Sequence, residues 1–281
     1  MAVRFIIDSA SDVMPSECKK LGVVHVPLTV CFGDKTYADA VELNHKKFYN
    51  MLTSGKEAHP TTSQASPVAF AEAMEEVVKN GDTAVVITLS SRLSGTYQSA
   101  CIAAEDFEGK VFVVDSMSAT MGQRLLLLYG IRLANEGLDA ATVKERLDAI
   151  KDKIRLFARV DTLEYLRKGG RISGATAVVG SMLNIKPLIG VQDGVVQNVA
   201  KARGPKAADK QLRELIAKSG GIDFSKPLCA AYSGNEDDNL KTFLADSTEL
   251  LCNTEAPIAT VGCVIGAHVG PGAVALGYFV N

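Results

Sequence analysis

Through the first 115 residues, short runs rich in β-branched residues alternate with stretches whose apolar residues recur at helical spacing; the runs are Val3 to Ile7, Val23 to Phe32, Thr83 to Leu89 and Val111 to Val114. Strands joined through crossover helices run parallel, and a parallel sheet has to be covered on both faces. The helical stretches carry their own punctuation. Ser66-Pro67 is an N-cap followed by a first-turn proline, and Val68, Phe70, Ala71, Met74, Val77 and Val78 then follow one helical face up to Gly81. Further helices are expected over Ser94 to Glu105, Ser118 to Asn135 and Asp139 to Ile154. Leu125 to Tyr129 is apolar all round its turn, which predicts a helix covered on most sides.

Beyond Lys151 to Arg159 the grammar changes. Asp193-Gly194 stands between the β-forming runs Ile185 to Val191 and Val195 to Ala202, a strong hairpin signal, and helices fit Pro205 to Lys218 and Asn235 to Leu251. The reading is an α/β chain of two domains. Residues 1–155 form a mostly parallel sheet covered by helices, and residues 156–281 form a second α/β domain with antiparallel pairing. No internal repeat is present. From Ala256 to Asn281 there is no Asp, Glu, Lys or Arg, but Pro257, Pro271, His268 and five glycines interrupt the segment. Buried strands at Pro257 to Val261 and Ala273 to Val280, joined by a Gly-rich turn, fit it better than a membrane span of about 20 residues.

Composition removes whole classes of function. Lys plus Arg number 30 against 32 Asp plus Glu, for a formal charge of −2, so the excess cation needed to bind a phosphate backbone is missing and nucleic acid is not an expected partner. The six cysteines never reach C-x-x-C spacing and are read as reduced core residues, without disulfide or zinc. The apolar run at the N-terminus breaks at Asp8, short of a signal peptide, which makes the cytoplasm the expected location. There is no G-x-G-x-x-G after a strand, no phosphate loop of the G-x-x-x-x-G-K-[ST] type, no G-x-S-x-G elbow and no zinc-type histidine pair. Ser16 and Lys19 form an isolated S-x-x-K without its companion motifs.

What remains is a set of hydroxyl clusters placed where strands should end: Asp8-Ser9-Ala10-Ser11-Asp12, Ser90 to Thr96, and Asp115-Ser116. In an open parallel sheet these loops share the ligand-binding rim. Ser, Thr and Asp there can also simply cap the next helix. Ser94-Gly95-Thr96 adds a predicted helix start, whose free N–H groups suit an anion. Thr61-Thr62-Ser63-Gln64 is a second hydroxyl loop before a helix cap, open to either a turn or a ligand role. His268, among flanking glycines, is either a core residue or the partner of a bound anion. Arg167, Lys168 and Arg171, beside Gly169-Gly170 at the opening of a helical stretch, either meet phosphate or an acidic partner or end a solvated helix.

Taken in order, Asp8-Ser9-x-x-Asp12, Thr61-Thr62-Ser63-Gln64, Ser90-Ser91-x-Leu93-Ser94-Gly95-Thr96-Tyr97-Gln98, Asp115-Ser116, Leu166-x-x-Gly169-Gly170-Arg171-Ile172, Lys186-Pro187 and Gly266-x-His268-x-Gly270-Pro271-Gly272 resemble the DegV family of bacterial fatty-acid-binding proteins over nearly the whole chain. Ala65 departs from that pattern, which usually has proline there. The resemblance implies a non-catalytic protein that buries one long-chain fatty acid between its two domains and needs no cofactor or metal. By that likeness Thr61, Thr62, Ser94, Gly95 and His268 hold the carboxylate. Arg171 and Arg203 face a separate fatty acid kinase, which turns the acid into an acyl phosphate for phospholipid synthesis. A lipid ligand leaves room for transient membrane contact. The competing reading is a serine esterase or acyl hydrolase with Ser94 as nucleophile and His268 as base.

Overall fold

The structure, a computed structural model, describes residues 1–172 and 184–281. The chain begins β1 (Val3–Asp8), α1 (Pro15–Leu21), β2 (Val23–Val26), β3 (Thr29–Phe32), β4 (Lys35–Ala38), α2 (His45–Thr53), β5 (Thr61–Ser63), α3 (Pro67–Lys79) and β6 (Thr83–Thr88). It continues through α4 (Thr96–Ala104), β7 (Val111–Asp115), α5 (Met121–Asn135), α6 (Ala140–Ile150), β8 (Ile154–Arg159) and α7 (Glu164–Gly169). The remainder is β9 (Ile185–Gln192), β10 (Val195–Arg203), α8 (Pro205–Lys218), β11 (Cys229–Tyr232), α9 (Asp238–Ala245), β12 (Ile258–Thr260), α10 (Cys263–Val269) and β13 (Val274–Phe279).

The fold is mixed α/β. Strands β2-β1-β6-β7 form a wholly parallel sheet, and β10-β9-β8-β13-β11-β12 form a second sheet that is antiparallel except between β11 and β12. A third, antiparallel sheet of order β4-β3-β5 was not foreseen. It exists because the run Val23 to Phe32 is not one strand. Pro27 has no N–H for a ladder, so pairing with β1 stops at Val26 and the chain turns out of the sheet. Leu28 N–H instead donates to Ser9 Oγ at 3.0 Å.

Several boundaries moved for local reasons. The helix expected from Ser118 starts at Met121, because Met117 and Thr120 have φ of 49° and 47°, outside the helical region. The helix expected over Asn235 to Leu251 spans only Asp238–Ala245. The charge-free tail is not two strands joined by a turn alone: α10 lies between them. The helical stretch expected to follow Arg171 falls on residues 173–183, outside the described residues. Cys18, Cys229 and Cys263 are buried, whereas Cys252 is exposed.

Helix α5 joins the two larger sheets. Leu125, Leu126 and Leu127 are completely buried, each contributing about 2 kcal/mol. A Cβ at Gly130 would stand 2.8 Å from the Phe5 ring on β1, and one at Gly277 on β13 would stand 3.0 Å from Met121 Cβ. Both sheets therefore approach the helix where a side chain is missing. The β9–β10 turn adds a second tie, since Ser90 Oγ donates to Gly194 O at 2.7 Å and Arg92 Nη1 to Asp193 O at 3.2 Å.

Three buried carboxyl groups, Asp8, Asp12 and Asp39, lie under this junction. Burial pushes Asp8 and Asp12 up to about 7 and raises Asp39 too, although backbone or side-chain donors to each partly offset it. An acid whose folded pKa exceeds its unfolded value holds its stabilising effect below that unfolded value, about 4, and loses it as pH rises through the folded one. Burial lowers His25 and His268 to about 4, so their effect is present above about 6.5 and lost as pH falls. Between about pH 6.5 and 7.5 the unfolded histidines still lose protons and oppose the carboxyls, so the carboxyl share is read as a difference between wild type and Asp12→Asn. The unfolding free energy from urea melts of wild type, relative to that of Asp12→Asn, is expected to fall as pH rises from about 6.5 to 8, by at most about 1.4 kcal/mol per pH unit for the proton released. A difference that does not change with pH would show that Asp12 is ionised in the folded chain without penalty.

Candidate functional site

A cavity of about 330 Å³ lies between the inner face of the six-stranded sheet and the loops that end the parallel strands, within the size range of small-molecule sites. Strand periodicity builds its floor. Leu156 and Ala158 point inward from β8, while Arg155, Phe157 and Arg159 point outward. Ala158 is register partner to Ala275 on β13, so two short side chains sit side by side where larger ones would close the space. Val191 and Val196 come from the β9–β10 hairpin, and Val264, Ile265 and Val269 from α10.

Apart from Thr120, which donates to Asp12, the polar residues of the wall form a closed ring of contacts at one end. Thr62 Oγ1 lies 2.9 Å from His268 Nε2. His268 in turn packs on Gly169, where any Cβ would collide with its Nδ1. Gly169 O accepts from Arg171 Nη1 at 2.6 Å, and Arg171 Nε donates to Leu93 O at 3.3 Å. Ser94 Oγ then bonds Thr96 Oγ1 at 2.9 Å across Gly95, the N-cap of α4. The Gln64 carboxamide packs so closely on Gly95 that a Cβ there would collide with Oε1, and its Nε2 donates to Ser99 Oγ at 3.0 Å. Gln64 leads back through Ser63 to Thr62. Ser63, Gln64 and Arg171 are exposed, so this end faces solvent.

The structure thus brings together Thr62, Ser94, Gly95, His268 and Arg171, drawn from four separate parts of the chain. Thr61 does not join them: it is exposed, next to Thr62 on a strand whose alternate side chains face opposite ways. Arg203 is exposed at the end of β10 and is not on the cavity wall. The cations Arg167 and Lys168 occupy the last turn of α7, as a helix C-terminus favours. Sequence reasoning passed over His59, whose ring lies 5.7 Å from that of Tyr165, and Tyr165 itself, packed so closely on Gly270 that a Cβ there would collide with the ring. Nothing around His59 in the sequence marks it, but Gly169 and Gly270 do mark two close approaches between α7 and α10.

Electrostatically this end is mild. Burial, then Arg171 and His59, lower the His268 pKa to about 4, so the imidazole is neutral at pH 7. Its Nδ1 is buried and has no hydrogen-bond partner among the described residues. A buried N–H without an acceptor is the rarer and costlier arrangement, which assigns the proton to Nε2. Nε2–H then donates to Thr62 Oγ1, leaving the Thr62 hydroxyl hydrogen free to point at a ligand. The helix dipole of α4 and the Arg171 guanidinium add positive potential from the other side. Ser94 and His268 each bond a different hydroxyl, so they do not form a nucleophile–base pair.

A family model described as uncharacterised proteins of the DegV family matches residues 2–281. A DegV domain-containing protein of Caldanaerobacter subterraneus subsp. tengcongensis is 35% identical over 272 residues, covering 96% of each chain. A DegV domain-containing protein of Deinococcus radiodurans is 35% identical over 279 residues, covering 98% of this chain and 97% of its own. Among solved structures, a fatty-acid-binding DegV family protein from Thermus thermophilus superposes with a TM-score of 0.87 at 32% identity, covering 100% of both chains. A stearic-acid-binding protein from Eubacterium ventriosum gives 0.87 at 26% identity, over 100% of this chain and 98% of that one. Among the described residues, no helix is long and apolar enough to cross a membrane.

The imidazole environment can be read directly. In ligand-free protein the His268 ring resonances should titrate with a midpoint near 4, and Arg171→Ala should move that midpoint upward. A wild-type midpoint at or above about 6, the range of a solvated imidazole, would place the ring outside the buried ring of contacts.

Proposed function

The chain belongs to the DegV family, and we propose that it binds one long-chain fatty acid, carboxylate in the polar ring and tail along the cavity, where residues 1–155 meet residues 156–281. The observation that carries this reading is that, among the described residues, the polar side chains of the wall other than Thr120 stand together at the solvent-facing end of an otherwise apolar cavity. A tail of about fifteen methylenes offers roughly 12 kcal/mol of gross burial, before the costs of ordering. A carboxylate needs its hydrogen bonds replaced on leaving water. The Thr62 and Ser94 hydroxyls, the start of α4 and His268, acting through Thr62, supply that replacement.

The protein acts in this reading as a non-catalytic carrier. Its ligand's carboxylate sits at the open end, where a separate fatty acid kinase could reach it while the tail stays buried. Arg171, on the ring, and Arg203, on β10, are the cations assigned to the face that meets that kinase or the new phosphate. The esterase alternative loses support because His268 bonds Thr62 rather than Ser94 and, among the described residues, no carboxylate orients its Nδ1.

Two measurements test the reading. Organic extraction of protein purified without denaturation, followed by mass spectrometry, should yield about one fatty acid per chain; repeated absence of any acyl species sinks it. Ala275→Phe should fill the floor beside Ala158 and lower long-chain affinity far more than His268→Ala. The latter removes the neutral bond that orients the Thr62 hydroxyl and should cost roughly 0.5–1.5 kcal/mol, about 2- to 13-fold. Unchanged long-chain affinity in folded Ala275→Phe would mean that the tail lies elsewhere.

A further inference from the structure

Helix α10 carries His268 near its end, yet its beginning is held from another part of the chain. The Gly262 N–H donates to Asp12 Oδ1 at 2.9 Å, and the Cys263 N–H donates to Asp39 Oδ1 at 3.2 Å. The other Asp12 oxygen, Oδ2, accepts from Thr120 Oγ1 at 2.5 Å. Arg124 Nη1 donates to the Asp12 backbone carbonyl at 3.3 Å. Asp12 is 4% exposed and Asp39 1%, so water competes little for these bonds. Only seven residues separate the Gly262 cap from Gly270, and α10 sends Val264, Ile265, His268 and Val269 to the cavity wall. A rigid element this short passes a displacement of its first turn to its last.

We infer that Asp12, with Asp39 beside it, is a positioning residue for head-group binding: its carboxylate clamps the start of α10 and so sets where His268 meets Thr62. This rests on the fatty-acid reading above. Among the described residues Asp12 hydrogen-bonds one lining residue, Thr120, and it reaches His268 through the helix. Gly262 supports the assignment, because a Cβ there would stand 2.9 Å from Asp12 Oδ1 and 3.9 Å from Asp39 Oδ1. The clamp closes only over a residue without a side chain.

The test compares palmitate with 1-hexadecanol, which shares the tail but has no charge and fewer acceptors, on wild type, Asp12→Ala, Asp12→Asn and Gly262→Ala. Thermal melts verify that each variant is folded. Wild type should prefer the acid by roughly tenfold or more, the size of a hydrogen bond to a charged group. In Asp12→Ala and Gly262→Ala that preference should shrink towards parity with little change for the alcohol. Asp12→Asn keeps an acceptor for Gly262 N–H and a donor for Thr120 Oγ1, and should restore most of the preference. If Asp12→Ala does not fold, the contrast between Gly262→Ala and Asp12→Asn decides. Acid and alcohol affinities falling in parallel, or a full preference in folded Gly262→Ala, would overturn the clamp. A wild-type protein that shows no preference for the acid removes the head-group reading, and the clamp with it.

Discussion

A helix that begins inside a protein must find acceptors for its first N–H groups, and burial makes any left over costly. Helix α10 begins in such a place, and the acceptors come from the loop after β1 and from Asp39, more than 200 residues earlier. That requirement ties the end of the chain to the end of the first parallel strand. It also explains why the DSxxD segment beside β1 is polar yet buried. Asp8 closes its own turn by accepting from Ala10 N–H at 3.0 Å and from Leu89 N–H at 2.8 Å, which fixes the end of β6 against the end of β1. With those loops fixed, the Ser90 to Gly95 segment has one place to go. The cavity forms between it and the second sheet.

The second sheet serves two environments with one periodicity. Leu156 and Ala158 on β8 and Val160 just after it face the cavity, and Arg159, between the last two, lies on the opposite face in an ion pair with Asp209 on α8, 2.7 Å apart. Burial raises the Asp209 pKa despite the nearby guanidinium, so desolvation outweighs attraction there. The inner face needs no such pairing. Its small residues Ala158 and Ala275 keep volume free; on the opposite face Phe157 packs over Gly190, where a Cβ would stand 2.9 Å from the ring.

The parallel sheet, the Asp193-Gly194 hairpin and the long buried helix were legible in the sequence because each rests on local grammar: β-branched runs, a two-residue turn, an apolar helix surface. The small sheet was not, because its separation from β2 turns on Pro27 inside an unbroken apolar run. Helix α10 was missed for a related reason. Gly262, Gly266 and Gly270 read as breakers, but they are spaced one helical turn apart, and Gly266 faces Phe48 and Tyr49, each of which a Cβ there would approach to 2.7 Å. They mark close packing rather than an absence of helix. At the site, Thr62, Ser94 and His268 were visible through motif likeness. The Gly169 contact that seats the imidazole is a three-dimensional coincidence that no spacing encodes.

The neutral state of His268 bears on what kind of grip this is. A protonated imidazole would bind a carboxylate as an ion pair, but in a buried place it would first have to be charged, and burial together with Arg171 and His59 opposes that. A neutral imidazole that donates to Thr62 instead fixes the direction of one hydroxyl hydrogen. In the proposed function the fixed hydroxyl supplies direction, with modest strength, and most of the holding free energy is left to the tail. On that proposal such a head site would release its charge to another protein's chemistry without first breaking a buried salt bridge, and a ligand whose head has been altered would leave by losing a few hydrogen bonds. The apolar cavity would then set how tightly the ligand is held, and the ring of hydroxyls which end of it faces out.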